Sequence, residues 1–181
     1  YDPASRKYTP IDTCYSTHHL QFAADKDNTL WTSGGGDVVG WLNTSLFLKT
    51  GDEQKSQGWT ALVLDTNGNG KRDAYTEPGA PTDPSKDQRI RAGYYGVAVS
   101  PVDGAVWGST IGYPGGVVRL MPGSNPPATA LAEVYYVPMD DPKAPMHGFS
   151  PRGMDIDRNG VVWMPLASGQ FASFDRRKCK G

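Results

Sequence analysis

The stretch Tyr95-Gly96-Val97-Ala98-Val99-Ser100-Pro101-Val102-Asp103-Gly104-Ala105-Val106-Trp107 decides how this chain folds. It reads as a β-type run, a polar turn and a second run that ends in Trp. The phrase occurs twice more. His19-Leu20-Gln21-Phe22-Ala23 leads through Asp25-Lys26-Asp27-Asn28 to Leu30-Trp31, and Arg152-Gly153-Met154-Asp155-Ile156 leads through Asp157-Arg158-Asn159-Gly160 to Val162-Trp163. Asp-Gly and Asn-Gly supply the positive φ that tight hairpin turns require, and Asn28 tolerates it too.

Reading outward from each Trp, a Gly-rich link leads to a third run: Val38 to Leu42, Gly116 to Leu120, and Gln170 to Phe174. A fourth run is legible twice, as Trp59 to Leu64 and Ala132 to Val137. Four strands per repeated unit is the arithmetic of a propeller blade. The expected fold is therefore all-β, a β-propeller with blades near 16–64, 92–138 and 148–176. The recurring Trp is expected to pack between blades. The sole helix-like stretch, Leu46 to Gln57, is interrupted by Gly51. The N-terminal Tyr1 to Asp12 reads as the end of one strand and a second strand of a preceding blade. A closed ring takes at least about four blades, so the chain is expected to be part of a larger propeller, completed by further blades of the same or another chain.

The totals narrow the function classes. With 18 Lys and Arg against 19 Asp and Glu, the net charge is −1, which argues against a nucleic-acid surface. No apolar run is long enough to insert in a membrane as a helix. The cluster Arg176-Arg177-Lys178 with Lys180 reads as a solvated basic edge. Cys14 and Cys179 could form a disulfide with each other, pair outside the chain, or remain thiols. Gly34-Gly35-Gly36 lacks the helix and the Lys of a phosphate cradle and reads as a flexible link. Ser33, Ser109 and Ser168 sit near such links without a nucleophile elbow around them.

Two places carry chemistry. Between the first and second units lies an insertion, 65–91, that opens Asp65-Thr66-Asn67-Gly68-Asn69-Gly70-Lys71-Arg72-Asp73. Oxygen-bearing side chains stand at Asp65, Asn67, Asn69 and Asp73, with a carbonyl expected from Lys71 and a Gly where the loop must wrap. That is the front half of a calcium loop, with Glu77 one place beyond the usual final acid. The expected role of the calcium is structural. The second place is the mouth of the propeller, where first strands begin. Alignment puts His19, Tyr95 and Arg152 at equivalent positions there. His18 adjoins them, although neighbouring side chains on a strand face opposite ways, and His147 could reach them from its loop. Together they would bind an anionic ligand, or a transition metal if the imidazoles converge.

The phrases Gly96-Val97-Ala98-Val99…Asp103-Gly104-Ala105-Val106-Trp107 and Pro151-Arg152-Gly153-Met154-Asp155-Ile156-Asp157…Asn159-Gly160-Val161-Val162-Trp163 resemble the blade repeat of streptogramin-lyase-like (virginiamycin B lyase-type) propellers. The resemblance implies a secreted or periplasmic bacterial propeller. It does not carry over the lyase's catalytic residues, because the His-x-Glu pair near the family's magnesium has no counterpart here. Three functions stay open: a calcium-binding module that takes a small-molecule or protein ligand at its mouth, a metal-dependent lyase or lactonase-like enzyme acting there, and a structural part of a larger propeller.

Overall fold

A computed structural model describes residues 1–34, 36–139, 142–143 and 145–179. Gly35 and Lys180, read above as part of a link and a basic edge, lie outside them. The chain is all-β, 34% strand against 10% helix. Among the described residues no helix is long and apolar enough to cross a membrane.

The first sheet is an antiparallel meander of β1 (Leu20–Phe22), β2 (Thr29–Thr32), β3 (Val38–Asn43) and β4 (Gln57–Ala61), in that order. Between β3 and β4 stand two short helices, α1 (Thr44–Thr50) and α2 (Glu53–Ser56). Gly51 separates them because it takes the left-handed conformation, φ 67°, and returns its N–H to Phe47 O. Asn43 and Asp52 cap the two N-termini by accepting the N–H groups of Leu46 and Lys55.

The second sheet contains the meander β8 (Val97–Val99), β9 (Val106–Thr110), β10 (Gly116–Met121) and β11 (Leu131–Tyr136), with the short helix α3 (Pro126–Thr129) before β11. Its outer edge is extended by β5 (Val63–Leu64), β7 (Asp87–Arg89) and β6 (Tyr75–Thr76), giving the order β6-β7-β5-β11-β10-β9-β8. The expected single strand Trp59 to Leu64 is thus divided. It leaves the first sheet at Ala61, passes through fully buried Leu62, and pairs in parallel with β11, Leu64 opposite Ala132. The insertion consequently sits on the second sheet's outer edge and not on the first unit's. The third sheet is β12 (Asp155–Ile156), β13 (Val162–Pro165) and β14 (Phe171–Phe174), followed by a 3-10 turn at Arg176–Lys178. The stretch before residue 19 forms no strand. Its one bridge joins Asp2 to Lys7, and Tyr15 instead lays its ring over Gly40 of β3 and donates its hydroxyl to Trp41 O.

The turns follow the sequence. Asn28, Gly104 and Gly160 all have positive φ, at 48°, 71° and 79°. Asp25 and Asp157 each accept two backbone N–H groups across their turns.

Sheets pack face to face through two apolar layers. Trp31, Val39, Leu62, Tyr94, Val97, Val106, Val118 and Leu120 fill the space between the first and second sheets. Trp107, Val117, Val162, Met164 and Leu166 fill that between the second and third. Gly108 has no side chain because the ring of Tyr94 lies directly on it, and the Tyr94 hydroxyl donates to Val118 O at 3.1 Å. Burial pushes that phenol well above its ordinary pKa. Trp31 and Trp107 are 5% and 3% exposed, as packing residues should be, whereas Trp163 is 49% exposed. Its strand neighbours Val162 and Met164 pack against the second sheet, and among the described residues no further sheet covers Trp163 itself.

Two sets of polar contacts fix the sheets relative to one another. Ser33 Oγ accepts the N–H of His19 at 3.1 Å and donates to Tyr95 O at 2.8 Å. Ser109 Oγ accepts the N–H of Gly96 at 2.9 Å and donates to Arg152 O. Each serine, fully buried two residues after its Trp, links the residue just before the first strand of its own sheet to the entry of the next. The second and third sheets are also clasped by Arg176, whose Nε and Nη2 bind Glu133 at 2.5 and 2.7 Å while Arg119 and Tyr135 hold the same carboxylate. The basic edge at 176–178 is therefore paired: Arg176 clasps Glu133, and Arg177 bonds Asp175 at 2.8 Å.

Ser109→Ala is expected to cost about 1–3 kcal/mol, because it strands the buried N–H of Gly96 and removes the hydrogen bond to the Arg152 carbonyl; urea unfolding measures it. Partial burial acts to raise the pKa of Glu133, but hydrogen bonds from Arg176 and Tyr135 and the charges of Arg119 and Arg176 outweigh it and hold the group below the usual carboxylate range. A depressed carboxylate stabilises the fold above its unfolded pKa, and that stability is lost as pH falls through the folded value. Melting curves from neutral to acid pH should show a drop below about pH 4, and the drop should be smaller in Glu133→Gln.

Candidate functional site

The ends of the three first strands define one rim. The N–H groups of His18, Tyr95 and Arg152 donate to the carbonyls of Ser33, Ser109 and Pro165 at 2.6, 2.8 and 3.0 Å. These three residues are therefore the equivalent positions. His19, expected in that role, corresponds instead to Gly96, since both donate to a serine Oγ. The displacement comes from the turns. Gln21 stands opposite Trp31, Ala98 opposite Trp107 and Asp155 opposite Trp163, separations of 10, 9 and 8 residues, so each turn is one residue shorter than the last.

At this rim three rings meet. The His18 and His19 imidazoles lie 4.4 Å apart edge to face, and each lies close to the Tyr95 ring, at 5.2 and 5.1 Å. Arg152 places its guanidinium 5.8 Å from the Tyr95 ring centre. Both histidines take part, contrary to the expectation that strand alternation would separate them. The reason is local: β1 begins only at Leu20, so residues 18 and 19 precede the regular pleat. Both imidazoles and the guanidinium are exposed, and Tyr95 is half-buried beneath them. Among the described residues no carboxylate pairs with Arg152, His18 or His19. His147 is exposed on its loop, and no contact joins it to the three rings. Among the described residues no group of three His, Cys, Asp or Glu side chains could hold a metal ion.

A groove of about 500 Å³ lies at the opposite end, between the first two sheets. It is lined by Asp25, Asp27 and Asp103 among others. Its carboxylates are committed to structure: Asp25 caps its turn, Asp27 pairs with Lys26, and Asp103 binds Arg119 at 2.7 Å.

Four of the residues expected to bind calcium, Asp65, Asn67, Asn69 and Asp73, are joined by hydrogen bonds within their loop. Asp65 accepts the N–H groups of Gly68, Asn69 and Gly70, at 2.7 to 3.1 Å. Asn67 and Asn69 both donate to Asp73 Oδ2. These amides, with the Lys71 charge, hold the Asp73 carboxyl below its ordinary range. Lys71 donates its N–H to Asn69 Oδ1, which curls the chain so that its carbonyl follows the turn. Glu77 stands apart, paired with Arg89 at 3.0 Å. Cys14 and Cys179 are both exposed free thiols.

Sequence reasoning passed over Ser33 and Ser109 as structural anchors. The signal was present, as Trp-x-Ser at Trp31-Thr32-Ser33 and Trp107-Gly108-Ser109; the third copy reads Trp163-Met164-Pro165. A comparison with family models finds no match to this chain, and a comparison with curated proteins finds none either.

The exposed rim contributes little to folding. Arg152→Ala is expected to change unfolding stability by no more than about 0.5 kcal/mol, the usual range for a surface substitution; a loss above about 2 kcal/mol in urea unfolding would make Arg152 a structural residue.

Proposed function

We propose that this chain is a β-propeller-type binding module, akin to streptogramin-lyase-like propellers and secreted or periplasmic as they are, that takes a small anionic ligand at the rim of its first strands. The observation that carries the reading is the convergence of His18, His19 and Tyr95 with Arg152 in an exposed cluster that contains no carboxylate. Guanidinium and imidazole donate to carboxylate or phosphate oxygens, and the phenol ring offers a face for an attached apolar or aromatic group. The propeller reading is supported by successive meanders whose first strands touch, β1 against β8 and β8 against β12.

The arrangement supports binding better than a metal-dependent lyase or lactonase, which would need a third ligand beside His18 and His19. The reading as part of a larger propeller has its own support. Trp163 occupies the place in its sheet that Trp31 and Trp107 occupy in theirs, yet it is half exposed. The two readings are compatible, because a ring of further blades would extend the same rim.

Titration with inorganic phosphate and with benzoate, followed by calorimetry and by Tyr and His ring resonances, tests the binding reading. Binding in the millimolar range or tighter is expected. Arg152→Ala and His18→Ala should each weaken it about tenfold, the loss of one charge-assisted hydrogen bond. Absence of binding to either probe, or binding indifferent to both substitutions, would reject it.

A further inference from the structure

One face of each sheet carries its Trp, and that face is buried in two sheets and open in the third. Trp31 stands opposite Trp41, Trp107 opposite Arg119 and Trp163 opposite Ser173. Two residues before those partners, on the same face, come Val39, Val117 and Phe171. Val39 and Val117 are 0% and 3% exposed, whereas Phe171 is 83% exposed. Trp163 and Phe171 are thus an apolar pair whose two counterparts are each covered by the following sheet.

The first sheet carries the matching cover on its own open face. Trp31 shares its apolar layer with Val97, Val106 and Leu120 of the second sheet, and Trp107 shares its layer with Met154, Val162 and Phe174 of the third. Strand register puts Leu20, Leu30 and Leu42 at the same three positions of the first sheet. Leu20 is exposed, as are Phe22 and Trp59 on the same face. Tyr15 lays its ring over Gly40 of this face, much as Tyr94 lies on Gly108 inside the buried joint between the first two sheets. Exposed apolar patches of this kind mark surfaces that another surface covers.

We propose that the open face of the third sheet docks on the open face of the first sheet in a second copy of this chain, and that two copies close a ring of sheets. The proposal rests on the larger-propeller reading above and names the partner. Every copy carries both halves of the joint, in the register that already pairs twice within the chain. A net charge of −1 gives two copies little mutual repulsion. The contact is head to tail, which makes a ring where the rotation closes and a filament where it does not. Each copy brings three sheets among its described residues, so two copies bring six, within the about four to eight that closed rings hold, and three copies overshoot.

Docking also continues the rim. Within the chain, Tyr95 lies 5.2 Å from the His18 ring and 5.8 Å from the Arg152 guanidinium across successive joints. The new joint sets His18 of one copy beside Arg152 of the other in the same way. It lacks one tie that the others have: Pro165 stands where Ser33 and Ser109 stand, and it has no hydroxyl to donate across the joint. This is therefore the joint that opens on dilution.

Sedimentation equilibrium of the full chain tests this, in reductant because Cys14 and Cys179 are exposed thiols. The mass should rise from one chain to two between about 1 and 200 µM, the weak end for an interface of ordinary size. Below about 1 µM the chain is single and Trp163 is open to solvent. Phe171→Asp and Leu20→Asp should each weaken association about tenfold or more, since docking then buries an unpaired carboxylate. Both residues are exposed, so both variants should melt within about 3 °C of the unsubstituted chain. Mixing the two variants should restore a pair held by one joint, because one brings an intact first sheet and the other an intact third. A pair that survives either substitution is joined between like faces and would overturn the proposal, as would a mass that grows past two chains. A chain that stays single at the highest concentration would overturn it too. Acrylamide quenching of Trp163 in that single chain separates the two readings: an accessible Trp163 keeps the larger propeller with some other cover, and a protected one removes the open face on which that reading stands.

Discussion

Two buried serine hydroxyls hold this structure in register. Ser33 and Ser109 each accept an N–H from the residue just before the first strand of their own sheet and donate to a carbonyl at the entrance of the next. Apolar layers drive the sheets together, but such contacts are non-directional and would tolerate sliding. A hydroxyl satisfied on both sides does not, because moving either sheet leaves a buried donor or acceptor unpaired. The carbonyls so fixed belong to Tyr95 and Arg152, two members of the rim cluster. The device that stacks the sheets thus also sets where their functional side chains emerge.

The second constraint is the crossing at Leu62. By leaving the first sheet there and joining the edge of the second, the chain ties the two sheets covalently and by hydrogen bonds along β5 and β11. The insertion grows from that edge. Its Arg72 returns to the same joint, so the polar loop is coupled to the core and is more than a surface ornament. On the other side, Arg176 clasps Glu133 and does for the third sheet what the crossing does for the first.

Much of this was legible in the sequence, for physical reasons that can be named. Alternating apolar runs closed by Asp-Gly, Asn-Gly or Asn28 marked the hairpins, and those positions do take positive φ. Gly51 was read correctly as a break. The crossing at Leu62 was not legible, because Trp59 to Leu64 is one continuous β-type run and nothing in it marks a change of partner. Tyr1 to Asp12 has strand-like residues, but among the described residues no strand pairs with them. At the rim, spacing to the Trp places Tyr95 and Arg152 correctly but misses by one residue in the first unit, whose turn is one residue longer than the second's. His18 therefore takes the place expected of His19. The serine anchors were overlooked because a serine's role depends on what stands opposite it in another sheet, and spacing along the chain does not reveal that.

The central claim is that sheets stack in one direction, each Trp covered by the sheet that follows. Trp107 and Trp163 occupy matching strand positions, opposite Ala98 and Asp155, and differ in having or lacking that cover. Acrylamide quenching of variants that each retain a single Trp, with the others replaced by Phe, tests this most directly. The account predicts that fluorescence from Trp31 and Trp107 resists quenching while that from Trp163 is quenched readily. Equal quenching of Trp107 and Trp163 would contradict it.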